Sequence, residues 1–328
     1  MSVAAPTAVE LAVANLDAWL DTMHGPAGYG GPVAHWWRDS LTFCGAAADW
    51  RYEGIVDGYL TLFERTGDQR WLDKGSRAGA DLLALQLESG NFRNSRFEQN
   101  PGTAGTPHEA AVDVALLRLA SVLEPREDDR WQTFASAAER NLRSFYIGRL
   151  WNDEEARFRD DPTQSSFVAN KSATLIEALC AWAALNGSDE FLERFVRPTA
   201  EAILAHQVVA PGTRLDGAIA QNTLGRKRVE AFFPLYCARC VPGLCLAGKL
   251  LEAPRYVEVA IRALDFVLRW QDADGGFPQV VYRQGVNRFP RWIAGTGDVL
   301  RAADAVRKTG QTVETSRAEA WLLSGQLP

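Results

Sequence analysis

Two pairs of carboxylates four residues apart, Glu53 with Asp57 and Glu109 with Asp113, have the types and spacing best suited to chemistry. On a helix each pair shares one face. Two carboxyl groups facing one space can divide the work of a general acid from that of a base or nucleophile. Asp57 and Asp113 fall about one turn inside their helices, so they are expected to be more buried than Glu53 and Glu109. Burial raises a carboxyl pKa and suits a proton donor. His108, directly before Glu109, adds an imidazole, although a residue following Pro107 at a helix start also fits a capping or hydrogen-bonding role. Carboxylates in a first helical turn are ordinary, because they complement the helix dipole. That explanation reaches less well to Asp57 and Asp113, since an unpaired buried carboxylate is costly.

The neighbouring residues carry the aromatic and cationic groups that a sugar site would use. Trp50 and Tyr52 flank Glu53, Trp36 and Trp37 precede them, and Asn170, Arg228, Glu230, Arg291 and Trp292 open later helices, the last of which adds Asp298. Arg93, Arg96, Arg157, Arg159, Arg214, Arg226, Lys227, Arg283 and Arg288 lie in the same connections. Such clustering in an acidic chain points to an anionic substrate, a uronate or a sugar phosphate. Glu98, Asp153, Glu154, Glu155, Asp160 and Asp161 share those segments and would pair with some of the cations at the surface. Cys237 and Cys240 are three apart, but there is no second such pair and only four histidines occur. They read as small buried thiols, and no metal or other cofactor is expected.

A repeat of about sixty residues positions these groups. Arg77, Gln86, Gly90 and Phe92 align without a gap on Arg262, Gln271, Gly275 and Phe277, and a weaker copy runs from Gln207 to Gly217. Apolar residues at i, i+3 and i+4 predict first helices of hairpins over 53–65, 108–123, 170–186, 230–251 and 291–308. Second helices are predicted over 71–87, 130–146, 189–207, 255–271 and 314–323, with an extra helix over 7–23. Turns within hairpins are short and marked by Thr66-Gly67-Asp68, Glu124-Pro125, Asn186-Gly187-Ser188 and Ala253-Pro254. Connections between hairpins run to about twenty residues, which is long for a compact domain and usual for functional loops. Short turns alternating with long loops gather the long loops at one end, where each first helix begins.

A net charge of -6 and the absence of a basic stripe argue against a nucleic-acid surface. No apolar run reaches eighteen residues, and no Lys or Arg precedes Arg38, so neither a membrane span nor a targeting segment is expected. The five cysteines fit reduced thiols. The reading is a cytoplasmic chain with one domain over 1–328.

The string Gly58-Tyr59-Leu60-Thr61-Leu62-Phe63-Glu64-Arg65-Thr66-Gly67-Asp68, followed by Trp71-Leu72, Leu82-Leu83 and Gln86, resembles the six-hairpin superfamily of glycoside hydrolases, polysaccharide lyases and sugar epimerases. The resemblance implies an all-α toroid of five to six hairpins with its active site in a funnel at the starts of the inner helices. Five first helices are counted, which fits a five-fold or incompletely closed barrel. It also implies a carbohydrate-active enzyme, with Asp57 and Asp113, assisted by Glu53 or Glu109, as acid and base in a hydrolase. In a lyase, Tyr52 or His108 would abstract a proton while Asn170, Arg228 or Arg291 neutralises a uronate. A sugar epimerase would need paired histidines, of which only His108 is suitably placed. The repeat is also similar to the QW repeats of class II terpene cyclases, but this chain has no Asp-x-Asp-Asp motif. A non-catalytic binding toroid is the remaining alternative.

Overall fold

The computed structural model describes residues 5–33, 42–93, 108–160, 166–224 and 227–325. Helix α1 (Ala8–Met23) precedes five hairpins. The first pairs α2 (Trp50–Thr66) with α3 (Gln69–Leu85), and the second pairs α4 (Glu109–Leu123) with α5 (Arg130–Asn141), which continues as a π-helix over Leu142–Leu150. The third pairs α6 (Ala169–Asn186) with α7 (Asp189–Phe191), which runs through a π-helical Leu192–Val196 into α8 (Arg197–Leu204). The last two pair α9 (Pro234–Leu250) with α10 (Pro254–Arg269) and α11 (Ile293–Arg307) with α12 (Ser316–Ser324).

The division into inner and outer helices follows from their composition. α4, α6 and α9 are apolar on nearly every side and are buried along most of their length. α3 and α10 carry apolar residues on one face only and line the outside. The inner helices pack in the order α2, α4, α6, α9, α11, each backed by its own hairpin partner. Asp49 caps α2 by accepting from the Arg51 N–H, and Gly67 ends that helix in the left-handed conformation, as Gly187 ends α6. The all-α toroid expected from the sequence is therefore the fold observed, with five inner helices among the described residues.

Among the described residues, α11 and α2 lack the dense packing that joins the other neighbouring inner helices. On the side where α11 would meet α2, Gly54, Gly58 and Gly297 are exposed, and a Cβ built on any of them would meet open space. The outer layer closes there instead. α1 packs against α12 and is tied to the first hairpin by Lys74, whose Nζ lies 2.5 Å from Asp17 and 2.8 Å from Asp21. Among the described residues, five inner helices thus face six outer ones.

The sixty-residue repeat has a structural explanation. The Gln86 amide donates to the Gly90 carbonyl at 3.0 Å and to the Ala137 carbonyl of α5 at 2.8 Å. Gln207 repeats this with Gly217 and Val259 of α10, and Gln271 donates to Gly275. One side chain therefore closes the turn after an outer helix, and in two of the three copies it also fastens that turn to the next outer helix. Gly217 and Gly275 have φ of 87° and 97°, and a Cβ at either would strike the backbone carbonyl of Arg262 or Arg317. The long loops also hold two-stranded ribbons, among them Trp151–Asn152 with Arg157–Phe158, Thr223–Leu224 with Lys227–Arg228, and Val280–Tyr282 with Gly285–Asn287. Strands of two or three residues are too short to leave an alternating pattern, which is why none was read from the sequence. Among the described residues, no helix is long and apolar enough to cross a membrane.

Both the positive φ and the missing space at Gly217 and Gly275 predict that Gly217→Ala and Gly275→Ala each destabilise the fold by about 2 kcal/mol or more. Gly58→Ala, on the open side of α2, should instead stabilise it by up to about 1 kcal/mol. Chemical denaturation of the three variants against the parent chain checks both signs.

Candidate active site

Every inner helix contributes a charged or hydroxyl side chain to a cluster on the barrel axis. Glu53 and Asp57 come from α2, Arg118 from α4, Thr174 and Glu177 from α6, Arg239 from α9, and Asp298 and Arg301 from α11. Arg239 is the hub nearer the starts of the helices. One guanidinium nitrogen contacts Glu53, a second donates to Asp298 Oδ1 at 2.9 Å, and Nε donates to Thr174 Oγ1 at 3.2 Å. Its face also lies 4.9 Å from the centre of the Trp50 ring. Arg301 is the second hub, contacting Glu177 and lying 3.5 Å from Glu53 and 3.6 Å from Asp57. Arg118 extends the chain from Asp57 (3.4 Å) to Glu64 (2.5 Å).

Solvent reaches these groups unequally. The Glu53 side chain is 3 % exposed, whereas Asp57 and Asp298 are 32 % and 25 % exposed on the side where α2 and α11 stand apart. Burial pushes the Glu53 carboxyl up, and the charge of Glu177 adds to this, while Arg239 and Arg301 oppose it. The expectation that Asp57 would be the more buried of the pair is therefore reversed. Asp57 lies beside the open flank of α2, and Glu53 lies beneath Arg239.

The second predicted pair faces elsewhere. Glu109 and Asp113 are fully buried on the side of α4 opposite Arg118, away from the axis. Glu109 accepts from the Phe92 N–H (3.1 Å), Asn91 Nδ2 (3.2 Å) and Asn141 Nδ2 (2.5 Å), which holds the loop after α3 against α4 and α5. Asp113 lies one turn on, with no hydrogen-bond partner for either carboxyl oxygen among the described residues. Burial first, and the Glu109 charge second, push its carboxyl well above the usual range. The structure does not bring this pair to Glu53 and Asp57.

The remaining predicted residues fall into three groups. Trp50 and His108 lie together beside the axial cluster, with ring centres 5.0 Å apart. Asn170 is buried on the face of α6 that also carries Thr174 and Glu177, and its Oδ1 has no partner among the described residues. Tyr52 points outward from α2: its hydroxyl accepts from the Tyr29 N–H at 2.8 Å and donates to Asp81 at 3.3 Å, and burial raises its pKa. Arg228, Glu230, Arg291 and Trp292 sit in the loops. Arg228 lies 3.6 Å from Glu230, which also pairs with Arg283, while Arg291 pairs with Asp272 and Asp274. The Trp292 indole donates to Gln279 at 2.9 Å. Trp36 and Trp37 lie outside the described residues.

Arg239, Arg301, Glu177 and Arg118 were not selected from the sequence. Each lies mid-helix in an apolar or mixed stretch, and the signal they leave is a charge on the one face of an otherwise buried helix that meets the other inner helices.

No family model and no curated protein matches the chain. Solved structures do. A possible member of glycoside hydrolase family 105 from Klebsiella pneumoniae superposes with a TM-score of 0.69 at 10% identity, covering 100% of this chain and 84% of that one. The unsaturated glucuronyl hydrolase of Bacillus sp. GL1 gives 0.64 at 14% identity, covering 97% and 81%. A sugar epimerase from a ruminal bacterium gives 0.66 at 14% identity, covering 93% and 82%. These neighbours are six-hairpin proteins, and at such identities the likeness establishes the fold.

A carboxyl whose pKa is higher folded than unfolded binds extra protons in the folded state, so stability falls as pH rises from the unfolded value through the folded one. Asp113→Asn is expected to preserve the fold and to remove part of the stability loss between about pH 4 and neutrality. Denaturation midpoints measured across that range check it. An Asp113→Asn chain with the parent's pH dependence would show that Asp113 is ionised in the fold.

Proposed function

We propose that the protein is a carbohydrate-active enzyme, a glycoside hydrolase whose working carboxylates are Glu53, Asp57 and Asp298, in the opening between α2 and α11. One observation carries this reading: three carboxylates in unlike environments converge on one accessible space and are held there by two shared arginines. Glu53, ion-paired with Arg239 and close to Arg301, is suited to hold the cluster in place. Asp57 and Asp298 stand nearer to solvent and are suited to activate water or attack the sugar. Asp298 takes the place that Asp113 holds in the reading from sequence, because α11 presents its carboxylate to the axis and α4 does not. Trp50 and His108 offer an aromatic and polar wall beside these groups.

Of the two bases a β-elimination would use, Tyr52 is engaged with Tyr29 and Asp81 behind α2 and burial raises its pKa, which unsuits it to remove a proton from a substrate on the axis and leaves only His108 for that role. The charge on the axis is unlike the apolar cavity that a prenyl substrate needs. An acidic saccharide is the preferred substrate class. This preference rests on the cationic loops and on the resemblance to a glycosidase whose name specifies an unsaturated glucuronyl group.

The test is hydrolysis of aryl glycosides and unsaturated glucuronyl disaccharides by the parent chain, Asp57→Asn and Asp298→Asn. Each substitution should lower kcat by about 100-fold or more while the melting temperature stays within a few degrees. Parent-level turnover in both variants would remove the axial carboxylates from the mechanism.

A further inference from the structure

A cavity of about 590 Å³ shares no lining residue with the axial cluster. It lies between the C-terminal end of α8 and the ribbons that precede α6 and α9, and its polar lining is Glu155, Arg157, His206, Thr223 and Arg228. Its size is that of a pocket for one small molecule.

His206 is 7 % exposed, and its Nδ1 lies 2.8 Å from the Ala202 carbonyl. A carbonyl oxygen only accepts, so Nδ1 carries the proton and Nε2 is left with a lone pair. That Nε2 is buried and has no partner among the described residues. Burial lowers the pKa of the ring, and the charges of Arg157 and Arg228 lower it further, so His206 stays a neutral acceptor. The Thr223 hydroxyl oxygen accepts from the Phe167 N–H at 3.1 Å, which leaves its own proton to donate. Phe167 also supports the two neighbouring groups, with its ring 4.7 Å from that of His206 and 5.5 Å from the Arg157 guanidinium. Arg157 uses Nε and one terminal nitrogen on Glu155 at 3.0 Å, and Arg228 uses one nitrogen on Glu230 at 3.6 Å. A guanidinium has five N–H groups, so each arginine retains donors beyond those engaged. Each guanidinium is thus paired with one carboxylate, Arg157 with Glu155 and Arg228 with Glu230, and still has N–H donors left to offer to the cavity.

We propose that this cavity binds a small hydroxy-carboxylate, such as a free hexuronate, with the carboxylate on Arg157 and Arg228 and a neighbouring hydroxyl donating to His206. A carboxylate takes paired N–H donors from guanidinium groups, and Thr223 supplies a further donor. A hydroxyl beside that carboxylate gives Nε2 the donor it lacks, which neither a plain anion nor an apolar acid would do. The inference goes beyond the axial reading and does not depend on it, since the two sites use different residues.

Calorimetric titration of the full chain with glucuronate, glucose and inorganic phosphate tests it. Glucuronate should bind at least about 10-fold tighter than either of the others, since each comparison removes a recognised group. Arg228→Gln should weaken glucuronate by a similar factor, and Arg228→Lys should recover part of the loss. His206→Gln should narrow the preference for glucuronate over phosphate. Absence of glucuronate binding, glucose binding as tight as glucuronate, or full affinity in Arg228→Gln would each overturn the proposal. Phosphate binding as tight as glucuronate would overturn the hydroxy-carboxylate class.

Discussion

The ion pairs of Arg239 and Arg301 are the constraint on which the rest of the molecule turns. Two guanidinium groups join carboxylates from α2, α6 and α11, and through α9 they reach four of the five inner helices. Taking charges out of water is costly, and their mutual attraction compensates only when geometry and hydrogen bonding are good. Such a cluster is weak evidence for net stability. It does specify arrangement, because each carboxylate withdrawn leaves a guanidinium on the axis with one partner fewer. Where α11 and α2 fail to pack, Arg301 crosses between them, so the ion pairs stand in for the apolar contact that would otherwise close the ring.

The same lack of packing opens the axis. Had a sixth inner helix filled the side marked by Gly54, Gly58 and Gly297, Asp57 and Asp298 would be sealed in. The carboxylates are instead partly hydrated while Glu53, behind Arg239, is not. The difference in environment that acid–base chemistry requires follows from the incomplete barrel. The outer layer supplies rigidity, since Gln86 and Gln207 each fasten a turn to the next outer helix and Gln271 closes the corresponding turn.

Charge is divided between two places. On the axis each arginine is matched by carboxylates, so little cationic character remains to attract an anion. In the loops most arginines are also paired, Arg283 with Glu230 and Arg291 with Asp272 and Asp274. The cavity beside His206 differs because Arg157 and Arg228, although each is paired with one carboxylate, line the same space and keep further N–H donors there. Recognition of an acidic group fits that cavity, and bond-breaking fits the axis.

The sequence by itself determined the hairpins, their short and long connections, and the end of the barrel where the loops gather. Those features depend on local periodicity and on turn residues such as Gly67 and Gly187, which act within one helix and its cap. It also marked the repeat of Gln, Gly and Phe, although not that the glutamine spans to the next helix. Among the candidate groups, Glu53 and Asp57 could be placed on one face from their spacing alone. Only the tertiary structure decided that Glu109 and Asp113 look away from the axis, that Tyr52 looks outward, and that Asp298, Arg239 and Arg301 look inward. The reason is that a helix buried on all sides, as α4 is, leaves no amphipathic stripe from which its inward face can be read. The rotation of such a helix is set by what its neighbours present, and that information lies outside the helix, 32 residues on for the Glu109–Asn141 contact and 186 for Glu53 and Arg239.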